Sequence, residues 1–298
     1  MRGKTLLLYS VCCAIWGSTW LVIKIGLADF PPLRFAGLRM ALACAILTFF
    51  AFRGAARPKA TEIRAMALAG FLQIGVSYAL IFAAERTIDS GMTAVLFSSF
   101  PIWIALFAHA FLPDEPLRTV AVVAAAIGMA GVAILELPAV ATALGGGRFP
   151  VAALLPLGSS VASAFANVWM KRRLGQVSPR LNLWGQTLVG SAFLLGISFL
   201  VESDVRTRWT LRGAGALAYL SVLGTVVAFL ALFWLIPRVP MSTIGAIPLI
   251  DTLVAVTLGA VVLGEAVGWR LLAGGALILT GAALATRGSA VAGIVPAE

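Results

Sequence analysis

The chain has 298 residues, of which 61% are hydrophobic and 11% charged, and its 22 Lys and Arg against 12 Asp and Glu give a net charge of +10. Soluble proteins carry about 45–50% apolar and about 25% charged residues, so this composition cannot furnish a water-facing surface, and its apolar richness excludes disorder. With a mean hydropathy of +1.01, the expected solvent is a lipid bilayer.

Ten apolar runs of about 18–23 residues follow one another at 5–25, 33–52, 65–84, 91–112, 119–137, 151–170, 181–201, 214–236, 241–263 and 269–286. Each is close to the roughly 20 residues a helix needs to cross about 30 Å of hydrocarbon. None alternates with the period of two that a transmembrane β-barrel requires. The expected fold class is therefore an all-α membrane protein with ten transmembrane helices. Arg2 and Lys4 precede the first run as they would in a signal peptide, but the run continues to about Leu21 and further runs follow, so it is read as a retained first helix. Placing the N-terminus in the cytoplasm puts thirteen Lys and Arg residues on the inner side and eight on the outer, with the clusters at 53–64 and 171–180 both inside. A bacterial inner membrane with both termini cytoplasmic is the expected location. The basic residues lie in short segments between apolar runs rather than on one module, so no nucleic-acid partner is expected.

Polar and aromatic residues within the runs are the candidates for function. In the first run Trp16 and Trp20 share a face that Lys24 continues, and Trp16 lies too deep for an interfacial belt. Cys12, Cys13 and Cys44 fall in apolar runs without metal-ligand spacing and read as small buried side chains. The second run holds Arg39. The third carries Gln73, Ser77 and Tyr78, and the sixth Ser159, Ser160, Ser163 and Asn167, at spacings that gather polar groups on one helical face. Such faces point into the bundle, where they line a cavity or join helices. The fourth run contains Phe97, Ser98, a central Pro101 and, near its cytoplasmic end, His109. The eighth holds Phe229. The ninth holds Pro248 near its middle and Asp251 beside it. A carboxylate at that depth costs about 2.5–3.5 kcal/mol on insertion scales and should face the bundle interior. Paired prolines in corresponding runs point to bends around a transport site. The fifth and tenth runs are rich in Gly and Ala, which let helices approach closely.

The stretch 138–150, with Gly145, Gly146 and Gly147, divides the chain into five runs and five runs. The order of features recurs: a basic loop after the second run, a proline-bearing fourth, then an acidic turn, Glu115 or Glu265, leading into a small-residue fifth. Because five is odd, two similar halves must enter the membrane from opposite sides, the inverted repeat common among secondary transporters. The expected repeats are 1–145 and 146–298. No HExxH, G-x-S-x-G or phosphate-binding glycine loop occurs, so no enzyme activity and no cofactor are expected.

Trp16-Gly17-Ser18, Pro32 followed by Arg39, Pro101 followed by Glu115, Glu265 after the ninth run, and the Gly/Ala-rich fifth and tenth runs together resemble the EamA family of the drug/metabolite transporter superfamily. The resemblance spans nearly the whole chain. In the second half Gln186 stands where a repeat of Arg39 would fall, and Asp251 stands opposite Pro101. The resemblance implies a helical basket with a central cavity lined by the first, third, fourth, sixth, eighth and ninth runs, with the fifth and tenth outside. It implies export of amino acids and related metabolites by alternating access, in the manner of the YddG-type aromatic amino-acid exporters. Candidate substrate-binding residues are Trp16, Gln73, Tyr78, Phe97, Ser98, Asn167, Phe229 and Asp251, with Pro101 and Pro248 as gating bends and Arg39 as a support of the outer mouth. The partners expected are a small-molecule substrate and the bilayer, with the protein a monomer or weak homo-oligomer. Two other readings stand beside this one: an exporter of cationic drugs or other metabolites, and a non-transporting intramembrane enzyme or scaffold.

Overall fold

The computed structural model describes residues 3–54, 57–84, 90–137, 140–141, 151–263 and 268–290. Among them all regular structure is helical. The helices are α1 (Gly3–Leu27), α2 (Pro32–Thr48), α3 (Ala60–Ala84), α4 (Ser90–Phe97), α5 (Phe100–Phe111), α6 (Thr119–Leu135), α7 (Leu154–Leu174), α8 (Pro179–Val201), α9 (Leu211–Leu235), α10 (Met241–Gly245), α11 (Ile247–Leu263) and α12 (Trp269–Ala290). Four of these, α1, α3, α8 and α9, are long and apolar enough to cross a membrane, and 95–111, 119–135, 241–255 and 269–285 are shorter apolar helices. The 138–150 break apart from residues 140 and 141, together with Glu265 and the side chain of Trp20, lies outside the described residues.

Pro101 and Pro248 sit differently from the sequence expectation of mid-helix bends. The fourth run breaks after Phe97, and α5 begins at Phe100 with Pro101 in its first turn; the ninth breaks at Ala246, and Pro248 stands in the first turn of α11. In a first turn the proline's missing N–H has no helical acceptor to lose. Two long helices change pitch instead. α3 contains a π segment over Phe71–Val76 and α9 another over Leu220–Val227. A π turn frees a backbone carbonyl for another donor and is frequent at functional sites.

The most extensive helix pairing is α6 with α12, followed by α2 with α8 and α7 with α3 to the same extent; α1 packs on α11 and α9, and α7 also on α5. Lipid offers no hydrophobic drive for helices to associate, so close van der Waals packing must supply it. Small residues make this possible. A side chain on Gly131 would stand 2.7 Å from the Gly274 carbonyl oxygen, and one on Gly281 would stand 2.6 Å from that of Ala124, so α6 and α12 touch backbone to backbone.

α2 begins at a cap that cannot cap itself. Pro31 precedes it and offers no side-chain acceptor. The buried Glu202 carboxylate at the end of α8 takes that place, accepting the backbone N–H of Leu33 (3.0 Å) and of Arg34 (2.9 Å) and the hydroxyl of Ser198 (2.8 Å). A negative charge there also opposes the positive end of the helix dipole.

The largest apolar cluster fills one half of the bundle, from Tyr9, Cys12 and Cys13 through Phe100, Ile104 and Phe229 to Leu174, Val239 and Met241. Towards the other end two smaller clusters stand apart, one around Met40, Ile74 and Leu194 and one around Phe30, Phe35 and Leu220. All three cysteines are free and buried. At the well-filled end Lys4 and Arg238 lie over the Trp234 ring, Arg172 over Phe111 and Arg173 over Trp169.

Candidate functional site: a central chamber

A chamber of about 150 Å³ lies within the bundle. α1 contributes Trp16, Thr19 and Ile23 to its wall, α2 Arg39, and α3 Gln73, Ser77, Tyr78, Ile81 and Phe82. Phe97 and Phe100 come from α4 and α5, Ser163 and Asn167 from α7, and Phe229 and Leu232 from α9. Ile244 of α10 and Ile247, Pro248 and Asp251 of α11 complete the described lining. α6 and α12 contribute no described lining residue.

The structure brings seven of the eight sequence candidates together here: Trp16, Gln73, Tyr78, Phe97, Asn167, Phe229 and Asp251. Ser98 is the exception. It is buried away from the chamber with its hydroxyl donating to the Val95 carbonyl (2.6 Å). One residue is about 100° of helical rotation, enough to turn a side chain from the chamber to the packing side. Pro248 lines the chamber, whereas Pro101 packs against the α10 backbone at Gly245.

The polar wall is built from matched amides and hydroxyls. Asn167 donates through Nδ2 to Gln73 Oε1 and to the Ser163 carbonyl, each at 2.8 Å. Ser163 donates to Ser77 Oγ (2.8 Å), Ser77 and Ser159 share a bond of 2.7 Å, and Ser159 donates to the Ser77 carbonyl (3.0 Å). Ser77 stands at the C-terminal end of the π segment of α3, so these bonds tie α7 to α3 where the pitch changes back. Asn167 Oδ1, on a side chain only 2% exposed, has no hydrogen-bond partner among the described residues.

The Trp16-Gly17-Ser18 triplet now has three separate reasons. Trp16 donates its indole N–H to the Gly224 carbonyl (3.2 Å) in the π segment of α9, and its ring meets Phe229 edge-on at 5.2 Å. Gly17 is where α1 meets α11: a Cβ there would lie 2.8 Å from the Asp251 carbonyl oxygen. Ser18 bonds the Tyr219 hydroxyl (2.7 Å).

Arg39 joins the chamber wall, its side chain 2% exposed. Nε donates to Thr225 Oγ1 (2.8 Å) and Nη2 to the Gly224 carbonyl (2.9 Å), both in the π segment of α9, and the guanidinium lies 5.4 Å from the centre of the Tyr78 ring. Gly224 leaves room for it, since a side chain there would stand 3.1 Å from Nη2. No carboxylate among the described residues lies within ion-pair distance of Arg39. An arginine deep in a membrane segment costs about 2.5–3.5 kcal/mol on insertion scales. Two charge-assisted bonds at about 1.5–3 kcal/mol each offset that.

A polar clasp lies on the well-filled side of the bundle. Glu115, in the turn between α5 and α6, pairs with Lys171 at the end of α7 (2.6 Å) and accepts the backbone N–H of Met241 at the start of α10 (2.7 Å). Lys171 also donates to the Val239 carbonyl. His109 Nδ1 accepts the Leu117 N–H (3.1 Å) and so ties down the same turn.

The fold and this chamber define a helical membrane transporter. The EamA-like transporter family matches the chain twice, over residues 3–137 and 150–287, and the chain belongs to that family, within the drug/metabolite transporter superfamily. The chain is 28% identical over 280 residues to the uncharacterized transporter YvbV of Bacillus subtilis, covering 94% of this chain and 90% of the relative. It is 29% identical over 260 residues to the uncharacterized inner membrane transporter YedA of Escherichia coli K12, covering 84% and 80%. A probable amino-acid metabolite efflux pump of Salmonella typhimurium is 27% identical over 291 residues, covering 94% of each. A solved crystal structure 21% identical in sequence superposes with a TM-score of 0.80 over 98% of this chain and 99% of its own, so the fold is shared.

Proposed function

We propose that this protein exports amino acids, aromatic and other apolar ones among them, and related metabolites across the bacterial inner membrane by alternating access. The observation that carries the proposal is the chamber itself: aromatic rings, a buried amide pair, a cation and a carboxylate face one small void. An amino acid presents the complementary groups. In this reading Tyr78, Phe97, Phe229 and Trp16 contact the side chain, Gln73 and Asn167 hydrogen-bond the polar head, and Asp251 holds the amine or carries a coupling proton. The relative named as an amino-acid metabolite efflux pump supports the substrate class.

The architecture proposed is ten spans in two inverted repeats, 1–145 and 146–298, with both termini cytoplasmic and the protein a monomer or weak homo-oligomer. The double family match supports it. So does the packing. Exchange of the halves turns α2–α8 and α6–α12 into themselves, α1–α11 into α7–α5, and α1–α9 into α7–α3. The π segments of α3 and α9 and the helix breaks after Phe97 and at Ala246 obey the same exchange. Basic residues stacked on aromatics at the Lys171 end suit a cytoplasmic interface.

The test is flux of labelled amino acids in liposomes containing the purified protein, across a panel and with and without a proton gradient. Flux of apolar amino acids above that of empty vesicles is expected. Absence of flux for every amino acid, with the helical fold intact, defeats the proposal. Asp251 lines the chamber and so keeps cationic drugs as the rival substrate. If Asp251→Asn abolishes transport of a cationic dye while amino-acid flux persists, the dye class is the substrate that reads this carboxylate.

A further inference from the structure

We infer that Arg39 is the residue that selects for a carboxylate in the chamber, and that Asn167 Oδ1 receives the donor end of the same substrate. The inference rests on the exporter reading and narrows its substrate class to α-amino acids with a free carboxylate. Three observations lead to it. Arg39 is buried and faces the void, yet no described carboxylate lies within ion-pair distance of it. Its Nε and Nη2 are held by Thr225 and Gly224, while Nη1 has no hydrogen-bond partner among the described residues. The guanidinium is thus fixed in orientation with donor capacity to spare, the arrangement that favours recognition of a planar carboxylate. The third observation is independent of the first two. Asn167 offers an acceptor oxygen, unpartnered among the described residues, in the wall of the same chamber, held in place by its own Nδ2 bonds to Gln73 and Ser163. A buried acceptor without a donor is costly to leave unmade, and an ammonium group supplies donors only.

The second half explains why one cation suffices. Gln186, at the position that repeats Arg39, bonds Asn182 Oδ1 on its own helix (2.7 Å) and the Met170 sulfur of α7, packs its backbone on Gly70 of α3, and does not line the chamber. The site is therefore asymmetric between the halves: a fixed cation from α2, and an amide from α7.

The experiment uses four probes that share one ring: phenylalanine, phenylalaninamide, phenethylamine and 3-phenylpropanoate, each as competitor and as labelled cargo in liposomes containing the full chain. Wild-type protein is expected to prefer phenylalanine over its amide at least tenfold. Arg39→Gln brings that ratio to near unity, and Arg39→Lys, which keeps the charge and loses the fork, leaves a smaller preference. Thr225→Val removes a bond that holds the guanidinium but not the guanidinium itself, so acid preference persists; a purely structural Arg39 would instead make Thr225→Val and Arg39→Gln lose flux alike with the ratio unchanged. If Arg39→Gln does not fold, Arg39→Lys and Thr225→Val decide the question by the same ratio. Equal carriage of acid and amide by wild type overturns the inference and leaves the exporter standing. Failure of phenylalanine with carriage of 3-phenylpropanoate defeats the amino-acid reading and leaves Arg39 as the carboxylate anchor. Carriage of none of the four overturns both.

Discussion

Glu115→Gln tests whether the clasp holds the chamber shut. The native carboxylate makes two charge-assisted contacts, to Lys171 and to the Met241 N–H, between side chains 18% and 16% exposed for Lys171 and Glu115. The amide keeps nearly the same shape and one neutral acceptor. Replacing a charged by a neutral hydrogen bond loses about 1 kcal/mol at each contact. Lys171 retains the Val239 carbonyl, so its charge is not left stranded. The closed state should then lose about 2 kcal/mol, a shift of roughly 30-fold in the open-to-closed ratio. Ile244 lines the chamber and belongs to the cluster above the clasp. A cysteine placed there, in a background with Cys12, Cys13 and Cys44 replaced by Ala, reports the opening by its reaction with an impermeant maleimide added from the Lys171 side. Labelling about 30-fold faster in Glu115→Gln is expected. Equal rates in the two proteins, with equal melting temperatures, would refute the reasoning.

Glu202→Ala removes three hydrogen bonds from a buried carboxylate and uncaps α2, so a loss of about 3 kcal/mol and a lower melting temperature in detergent are expected. Gly131→Val forces a side chain against the Gly274 carbonyl; thermal melting should show about 1–3 kcal/mol of destabilisation from overpacking, with substrate preference unchanged in the protein that remains folded. Asn167→Ala removes both the free acceptor and the bond to Gln73, and about a tenfold loss of apparent affinity for phenylalanine is expected in the flux assay, without loss of helical signal.

The positions of the helices were legible because lipid thickness imposes a length and because charges collect where the chain leaves the membrane. Residues whose job is done along one helix were legible in part: Ser163 and Asn167 on α7 and Gln73 and Ser77 on α3 do line the chamber, whereas Ser160 turns to Ser99 instead. What could not be read is whatever depends on a distant partner. Arg39 answers to Gly224 and Thr225, which lie 185 and 186 positions away, and the π segment that frees that carbonyl leaves little trace in composition beyond a central glycine. Pro101 follows Ser98 and Ser99, polar residues before a proline that can equally open a helix. Read within an unbroken apolar run they suggested a bend, and the helix in fact restarts there. Ser98 was one residue out of phase, since nothing in the run itself marks where α4 ends.

The paired π segments have a mechanical consequence. Each holds a surplus residue relative to an α-helix of the same length. One residue is roughly 100° of rotation, so the surplus sets the phase in which Ser77, Tyr78 and Ile81 on α3, and Phe229 and Leu232 on α9, meet the void. Converting either segment to a regular α-helix would turn those side chains away from it, and on α9 it would re-engage the carbonyl that grips Arg39.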